Sequence, residues 1–486
     1  LQQPGTVAIS AVAGMGGVGK TELALRYAKQ HEADYPGGIC WLSARETNLA
    51  ALIVQFAQLQ MNLEVPQELG GKQLTLAQQV NWCWQNWQPP EGLALVVLDD
   101  VTDLGNYREF LPTANRFRVL ITTRLRNLDT NIEEIPLDVL LPEEALQLLT
   151  ALVGEKRVQR EEETAKELCE WLGYLPLGLE LVGRYIAKKP PNWTLAKMLE
   201  RLKAQRLEDE AIDRHQLQQT LSTAQLGVKA AFELSWLDLH PMTQRVAQLL
   251  SLFAPNIFAW KSVESATKTL NWTASDAETA NQQLYERHLI QWVEDTEDGY
   301  KIHPLIREFL KVKLATSEQV DELKRAFAET LIAIAKTIPN SPTQEFIKSV
   351  KNAIPHLAEV AQNLIDAVSD ENLPWAFVGL SRFYEGQGLY ALAQPWLEQC
   401  VSVVQLRLGD EHPDVATSFH NLATLYHSQG RYSEAEPLYI QALEIYEHRL
   451  GVNHPHTIIS RKNLEGLRSV RGHRAKTGKL YLKRFR

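Results

Sequence analysis

Eight residues limit what this chain can fold into. Gly14-Met-Gly-Gly-Val-Gly19-Lys20-Thr21 matches the phosphate-cradling pattern G-x-x-x-x-G-K-[ST] at every position. The apolar run 7–13 before it has the composition of a buried parallel strand, and Leu23, Ala24, Tyr27 and Ala28 after it repeat at helical spacing. The glycines therefore fall in a strand-to-helix turn. There they let the backbone turn tightly, so that successive N–H groups and the positive end of the helix point at one anion. Gly14, Gly16, Gly17, Val18, Gly19, Lys20, Thr21 and Glu22 form this cradle. Lys20 brings a mobile charge to the outer phosphates, and Thr21 offers a hydroxyl to Mg²⁺, which prefers hard oxygen ligands.

The region around the motif alternates apolar strands with helices, as a doubly wound sheet does. Residues 38–43 read as a second strand, and 49–59 and 74–87 as helices. The apolar run 93–98 ends in Asp99 and Asp100, a Walker B pattern. Ligands of open α/β sheets bind at the carboxyl ends of strands, which places these acids opposite Lys20. Asp99 is expected to hold Mg²⁺ through its water shell and Asp100 to orient or deprotonate an attacking water. A further strand, 118–123, ends in Arg124, from which a guanidinium can reach a γ-phosphate.

At 486 residues the chain exceeds one core and is expected to hold about three or four domains. No apolar run approaches the ~20 residues that cross a bilayer. No signal peptide is read. Because the first residue is Leu1 and a strand follows almost at once, the chain is expected to be a piece of a longer protein. Cys40, Cys83, Cys169 and Cys400 lie far apart with no C-x-x-C spacing, which points to a reducing, cytoplasmic setting. The net charge of −9 includes a basic end, 468–486, that has Lys and Arg but no acid. The remaining body is strongly acidic, which disfavours general nucleic-acid binding.

Taken in order, Gly14 to Thr21, Val96-Val-Leu-Asp-Asp-Val101 and Leu120-Ile-Thr-Thr-Arg124 resemble the successive motifs of the NB-ARC ATPases, which belong to the STAND class of signal-transduction NTPases. The likeness continues through Leu172-Gly-Tyr-Leu-Pro-Leu-Gly-Leu179, similar to the family's Gly-Leu-Pro-Leu segment in a small helical domain. The resemblance implies that Pro176 packs near the adenine. Beyond it, helices at 246–253, 262–269 and 277–286 and a hairpin of 290–293 with 300–302 read as a winged helix. Its acidic end argues against DNA reading. The family uses this module as a lid whose Met-His-Asp motif contacts the nucleotide, and Lys301-Ile-His-Pro-Leu-Ile306 is the matching stretch. His303 matches the family's histidine, while Pro304 stands where the acid would be. An ordinary buried histidine is the other reading of His303.

Helical stretches at 318–338 and 344–365 carry no recognisable chemistry. After them an internal repeat emerges: Tyr384 and Tyr426, Gly388 and Gly430, Pro395 and Pro437, Gly409 and Gly451, and Pro413 and Pro455 are each 42 residues apart. Each unit is a helix pair, so the array is an α-solenoid. It resembles the tetratricopeptide (TPR) repeats of kinesin light chains, and Asn463-Leu464 opens a third unit. Such arrays present a concave surface to a protein or peptide, or serve as a spacer. The basic end shows no helical periodicity and reads as an altered or exposed tail.

The expected architecture is multidomain and mainly α: a P-loop α/β domain (1–154), a small helical domain (155–225), a winged helix (226–315), a helical linker (316–370), TPR repeats (371–467) and a basic tail (468–486). The expected function is an ATP/ADP-dependent, Mg²⁺-requiring signalling switch in the cytoplasm, turning ATP over slowly. A protein or peptide ligand would be sensed by the repeats, and the chain would self-associate when activated, without nucleic acid or membrane. A STAND-type transcription regulator is the alternative, ahead of an oligomeric AAA-like motor. A GTPase ranks low because no [NT]-K-x-D stretch follows the Walker B strand.

Overall fold

The structure, a computed structural model, describes residues 5–11, 17–45, 48–70, 72–103, 105, 107–123, 125, 132–212, 223–294 and 296–484. It divides into two compact units, Leu1–Leu323 and Lys324–Arg486.

The first unit opens with β1 (Gly5–Ala11), α1 (Lys20–Gln30), β2 (Ile39–Ser43), α2 (Leu49–Gln60), a small hairpin of β3 (Glu68–Leu69) and β4 (Lys72–Gln73), α3 (Leu76–Gln85), β5 (Ala94–Val101), β6 (Phe117–Thr123) and β7 (Ile132–Leu137). Strands β2-β5-β6-β1-β7 form one sheet, parallel throughout. Central strands β5 and β6 are buried along nearly their whole length, as continuous apolar runs covered on both faces must be. Val7, Ile9, Leu95, Val97 and Leu120 pack there with Ala24 and Ala28 of α1. The edge strand β7 is absent from the sequence expectations because Glu133, Glu134 and Pro136 weaken its apolar signal. An edge needs only one buried face and tolerates proline.

Next come α4 (Pro142–Val153), α5 (Glu155–Arg160), α6 (Glu162–Trp171), α7 (Pro176–Ala187) and α8 (Leu195–Ile212). Gly183 lets α7 approach α4 closely, since a Cβ there would lie 2.8 Å from Leu152 Cβ. The unit continues with α9 (Thr223–Leu237), α10 (Pro241–Leu250), β8 (Phe258–Ala259), α11 (Trp260–Thr269), α12 (Ala274–Glu286), β9 (Gln291–Trp292), β10 (Gly299–Lys301) and α13 (Pro304–Ala315). The hairpin expected from the sequence is β9 with β10, and β8 joins it in a three-stranded antiparallel sheet ordered β8-β10-β9.

The second unit opens within α14 (Val320–Thr337) and continues with α15 (Gln344–Val350) and α16 (Ile354–Asn363). The single helical stretch expected over 344–365 is thus interrupted. Pro355 has no N–H to donate to the preceding turn and sits instead in the first turn of a new helix. Then follow α17 (Trp375–Glu385), α18 (Tyr390–Leu408), α19 (Pro413–Ser428), α20 (Tyr432–Leu450) and α21 (Pro455–Arg484), whose boundaries reproduce the repeat residue for residue from α18 to α20. The basic end is a correction to the sequence reading: α21 runs through it to Arg484. Arg, Lys, Leu and Ala are strong helix formers, and a helix can extend without an apolar stripe to announce it. Among the described residues no helix is long and apolar enough to cross a membrane.

Glycines punctuate the repeats in two different ways. Gly388 and Gly430, at φ 71° and 72°, close α17 and α19 in Schellman motifs, with Arg431 N–H donating to Tyr426 C=O and Gly430 N–H to His427 C=O. Gly409 (φ 86°, ψ 154°) and Gly451 (φ 88°, ψ 161°) end α18 and α20 in a region that only glycine enters readily. A Cβ at Gly409 or Gly430 meets nothing within 4 Å, so substitution there reports backbone strain alone. Gly430→Ala should cost about 1 kcal/mol, and Gly409→Ala up to about 3 kcal/mol. Urea unfolding followed by helical circular dichroism gives the order; equal or reversed costs contradict this assignment.

Candidate functional site

The carboxyl ends of β1 and β5 open on one edge of the sheet, and there the sequence-predicted residues gather. Gly14, Gly16 and Arg124 lie outside the described residues. Gly17 (φ 85°) and Gly19 (φ 98°) hold left-handed conformations that let the chain turn into α1, for which Gly19 is the N-cap. Val18 and Lys20 are buried, Thr21 is half-buried at the helix start, and Glu22 is exposed in the first turn.

Thr21 Oγ1 donates to Asp99 Oδ1 at 2.9 Å, linking the phosphate loop to β5. Thr122 Oγ1 on β6 donates to the same oxygen at 2.5 Å and accepts the Asp100 amide at 2.8 Å. Burial pushes the Asp99 carboxyl up from the ordinary aspartate range. The two threonine hydroxyls oppose that shift, the neighbouring Asp100 charge reinforces it, and Lys301 of β10 opposes it. Asp100 occupies a left-handed conformation (φ 58°) where the β5–β6 register breaks between Leu98 and Val101. Its Oδ2 lies 3.3 Å from Arg45 Nη1.

Two later segments reach the same loop. Pro176 begins α7, and the next residue, Leu177, donates its N–H to Gly17 C=O at 3.4 Å. A Cβ on Gly17 would fall 3.1 Å from Leu177 Cβ and 3.6 Å from Leu305 Cδ1. Leu305 stands two residues after His303, the N-cap of α13, whose Nδ1 accepts the Leu305 amide at 3.2 Å. That nitrogen carries no proton, so the ring's donor is Nε2. Gly17 is thus the point where the phosphate loop, the start of α7 and the start of α13 meet.

Thr21 and Asp99 suit a hard cation, presenting a hydroxyl and a carboxylate oxygen 2.9 Å apart. Among the described residues no group of three or more His, Cys, Asp or Glu could cage a metal. Sequence reasoning misses Arg45, Thr122, Leu177, Lys301 and Leu305. Of these, Arg45 alone lies outside every motif: Thr122 sits within Leu120-Ile-Thr-Thr-Arg124, Leu177 within the Leu-Pro-Leu segment, and Lys301 and Leu305 beside His303.

Comparison with known proteins matches residues 1–159 to the NB-ARC domain and 372–448 to the tetratricopeptide repeat. The chain thus carries an NB-ARC domain and TPR repeats. Regulatory protein AfsR of Streptomyces coelicolor is 28% identical over 405 residues, covering 80% of this chain and 37% of that one. Apoptotic protease-activating factor 1 of Danio rerio is 26% identical over 260 residues, covering 50% of this chain and 20% of that protein. The NB-ARC chain therefore spans little more than a third, or less, of these curated relatives. A solved structure of a Signal Transduction ATPase with Numerous Domains (STAND) protein with a tetratricopeptide repeat sensor, from Pyrococcus horikoshii, aligns with TM-score 0.50 at 18% identity. It covers 96% of the NB-ARC chain and 65% of that chain, and shares its fold.

The half-buried acid has a consequence for stability. A carboxyl whose folded pKa is raised stabilises the fold below its unfolded pKa of ~3.9, and that contribution is lost as pH rises through the folded pKa. Asp99→Asn keeps an oxygen to accept from Thr21 and Thr122 without the charge. In protein stripped of nucleotide and Mg²⁺, the variant should melt above wild type at about pH 7.5, with the gap closing as pH falls toward ~4. Thermal melts across that range check this; a gap independent of pH contradicts it.

Proposed function

We propose that this NB-ARC chain is an ATP/ADP-dependent signal-transduction switch, with nucleotide held between the α/β domain, the helical segment at Pro176 and a winged-helix lid carrying His303. The observation that carries this reading is the meeting of all three at Gly17, which makes one loop sensitive to the position of both later modules. In this reading Lys20 and the loop amides take the phosphates, while Thr21 and Asp99 hold Mg²⁺, which when bound neutralises phosphate charge. Pro176 packs beside the adenine, and His303 Nε2–H donates to the β-phosphate. For hydrolysis Asp100 orients the water and accepts its proton as the water oxygen bonds to the γ-phosphorus. The bond to the bridging oxygen breaks, ADP keeps the electron pair, and the proton passes on to phosphate or solvent. Arg124 senses the γ-phosphate.

A switch needs two states that contact nucleotide differently, and a lid that leaves Gly17 when ADP gives way to ATP provides them. The repeats would take a protein or peptide ligand, and opening would expose surfaces for self-association. The likeness to Regulatory protein AfsR favours, as a second reading, a regulator of gene expression built on the same switch.

Replacing Lys20 by Ala removes a buried cation from the phosphate cradle. A charge-assisted hydrogen bond is worth ~1.5–3 kcal/mol, so Lys20→Ala should bind ATP and ADP at least ~10-fold more weakly while its helical content holds. Equilibrium binding of fluorescent nucleotides tests the phosphate-loop assignment; wild-type affinity would sink it.

His303 requires two variants, because it also caps α13. His303→Ala loses cap and donor together, whereas Asn is a good N-cap and too short to replace Nε2–H. Both variants should release ADP ~10-fold faster in stopped flow if the phosphate bond exists. If only His303→Ala does so, the histidine is a helix cap and the lid loses its proposed ligand.

A further inference from the structure

The residue at the end of β2 is held more firmly than a strand terminus requires. Past the last β2–β5 pair, Ser43 with Asp99, Ala44 N–H still donates to Asp99 C=O at 2.8 Å. Ala44 C=O in turn accepts the hydroxyl of buried Tyr107 at 2.7 Å. Both polar groups of the Ala44 backbone are therefore fixed where the chain enters Arg45. From this anchored position Arg45 places Nη1 at 3.3 Å from Asp100 Oδ2, with the two side chains only 21% and 22% exposed.

Asp100 needs such a partner. It stands at a break in the β5–β6 register with left-handed backbone, where aspartate is tolerated but a side chain's direction is not dictated by the pleat of the sheet. Its amide is fixed by Thr122 Oγ1, which also donates to Asp99. That bond sets the peptide and leaves the carboxylate to be set by what faces it. The 3.3 Å approach is an ion pair, and a planar guanidinium on a pinned backbone fixes where its charge lies more closely than a flexible lysine ammonium does.

We propose that Arg45 is a positioning residue of the phosphate site, orienting the Asp100 carboxylate so that the water-directing step depends on the Arg45–Asp100 pair. This inference rests on the hydrolytic reading of Asp100 given above. Arg45 acts through Asp100, so it governs turnover and leaves nucleotide affinity alone. Displacement of a reacting group by about 1 Å costs on the order of 100-fold in rate, which sets the upper range expected for its loss.

The test uses the full chain carrying Arg45→Ala, Arg45→Lys, Asp100→Asn and the double variant Arg45→Ala/Asp100→Asn. Single-turnover ATP hydrolysis and affinity for a fluorescent ADP analogue are measured on each. Arg45→Ala should turn over ~10- to 100-fold more slowly with ADP affinity within about 2-fold of wild type. Arg45→Lys, which keeps the charge and guards against a folding defect, should recover part of the rate. The double variant should be no slower than Asp100→Asn, because both changes remove the same device. Multiplying defects overturn the proposal, as does a parallel loss of ADP affinity, since Arg45 would then act elsewhere or on the nucleotide itself. Unchanged turnover in Arg45→Ala beside a slow Asp100→Asn overturns it while sparing the hydrolytic reading. Wild-type turnover in Asp100→Asn, or no turnover in the wild type, defeats that reading and the proposal with it.

Discussion

A carboxylate partly withdrawn from water ties the phosphate loop to β5 and β6. Asp99 sits at the end of a strand buried on both faces, and its charge is opposed by two threonine hydroxyls and, across a module boundary, by Lys301. Hydroxyl donors satisfy lone pairs but do not neutralise charge, so burial still prevails and raises the carboxyl. Whatever brings positive charge to this place stabilises the folded unit as well as occupying it. Ligation and folding are thus coupled at one residue. Lys301 of the small antiparallel sheet adds a minor favourable charge there.

Two ion pairs that join earlier and later segments of the first unit are of a kind that yields. Lys29 of α1 pairs with Glu294 beside β9, and Lys188 after α7 pairs with Glu286 of α12, all with substantial exposure. Such pairs contribute little and fade with salt. Lys189 and Asp238, each 26% exposed, are better shielded. Unlike these exposed ion pairs, the contact at Gly17 is steric and backbone-mediated: a Leu177 amide on its carbonyl and two leucine side chains where a Cβ would point. A modest change at Gly17 is therefore felt at once by the starts of α7 and α13.

What was legible in the sequence follows from how each feature is encoded. The phosphate loop and the acids ending β5 are contiguous strings with a fixed mechanical purpose, and the helix pairs repeat at a constant interval, so both can be read without a structure. The partners of those strings are another matter. Arg45 pairs with a carboxylate on a neighbouring strand, and Thr122 bonds an acid 23 positions away. Arg45 belongs to no local pattern, and the motif that holds Thr122 does not name its partner, so only strand order brings each to its acid. Edge strand β7 and the helical end of α21 were missed for a related reason: neither needs the apolar periodicity by which elements are recognised.

His303 shows how one residue can be read twice. Four helices in this chain start after a His-Pro pair, and in each the imidazole Nδ1 accepts the amide two residues on: His240 from Met242, His303 from Leu305, His412 from Asp414 and His454 from His456. Proline suits the first helical position because its missing N–H would go unused there, and the histidine takes the amide that follows. Pro304 in place of the family's acid is thus explained by helix initiation alone. The capping role does not compete with a ligand role, because it uses Nδ1 and so fixes the tautomer with its proton on Nε2. Among the four, His303 is the one whose capped residue, Leu305, lies against Gly17 of the phosphate loop. A cap common to the chain thus stands, at that single place, next to the phosphate loop with its remaining ring N–H defined.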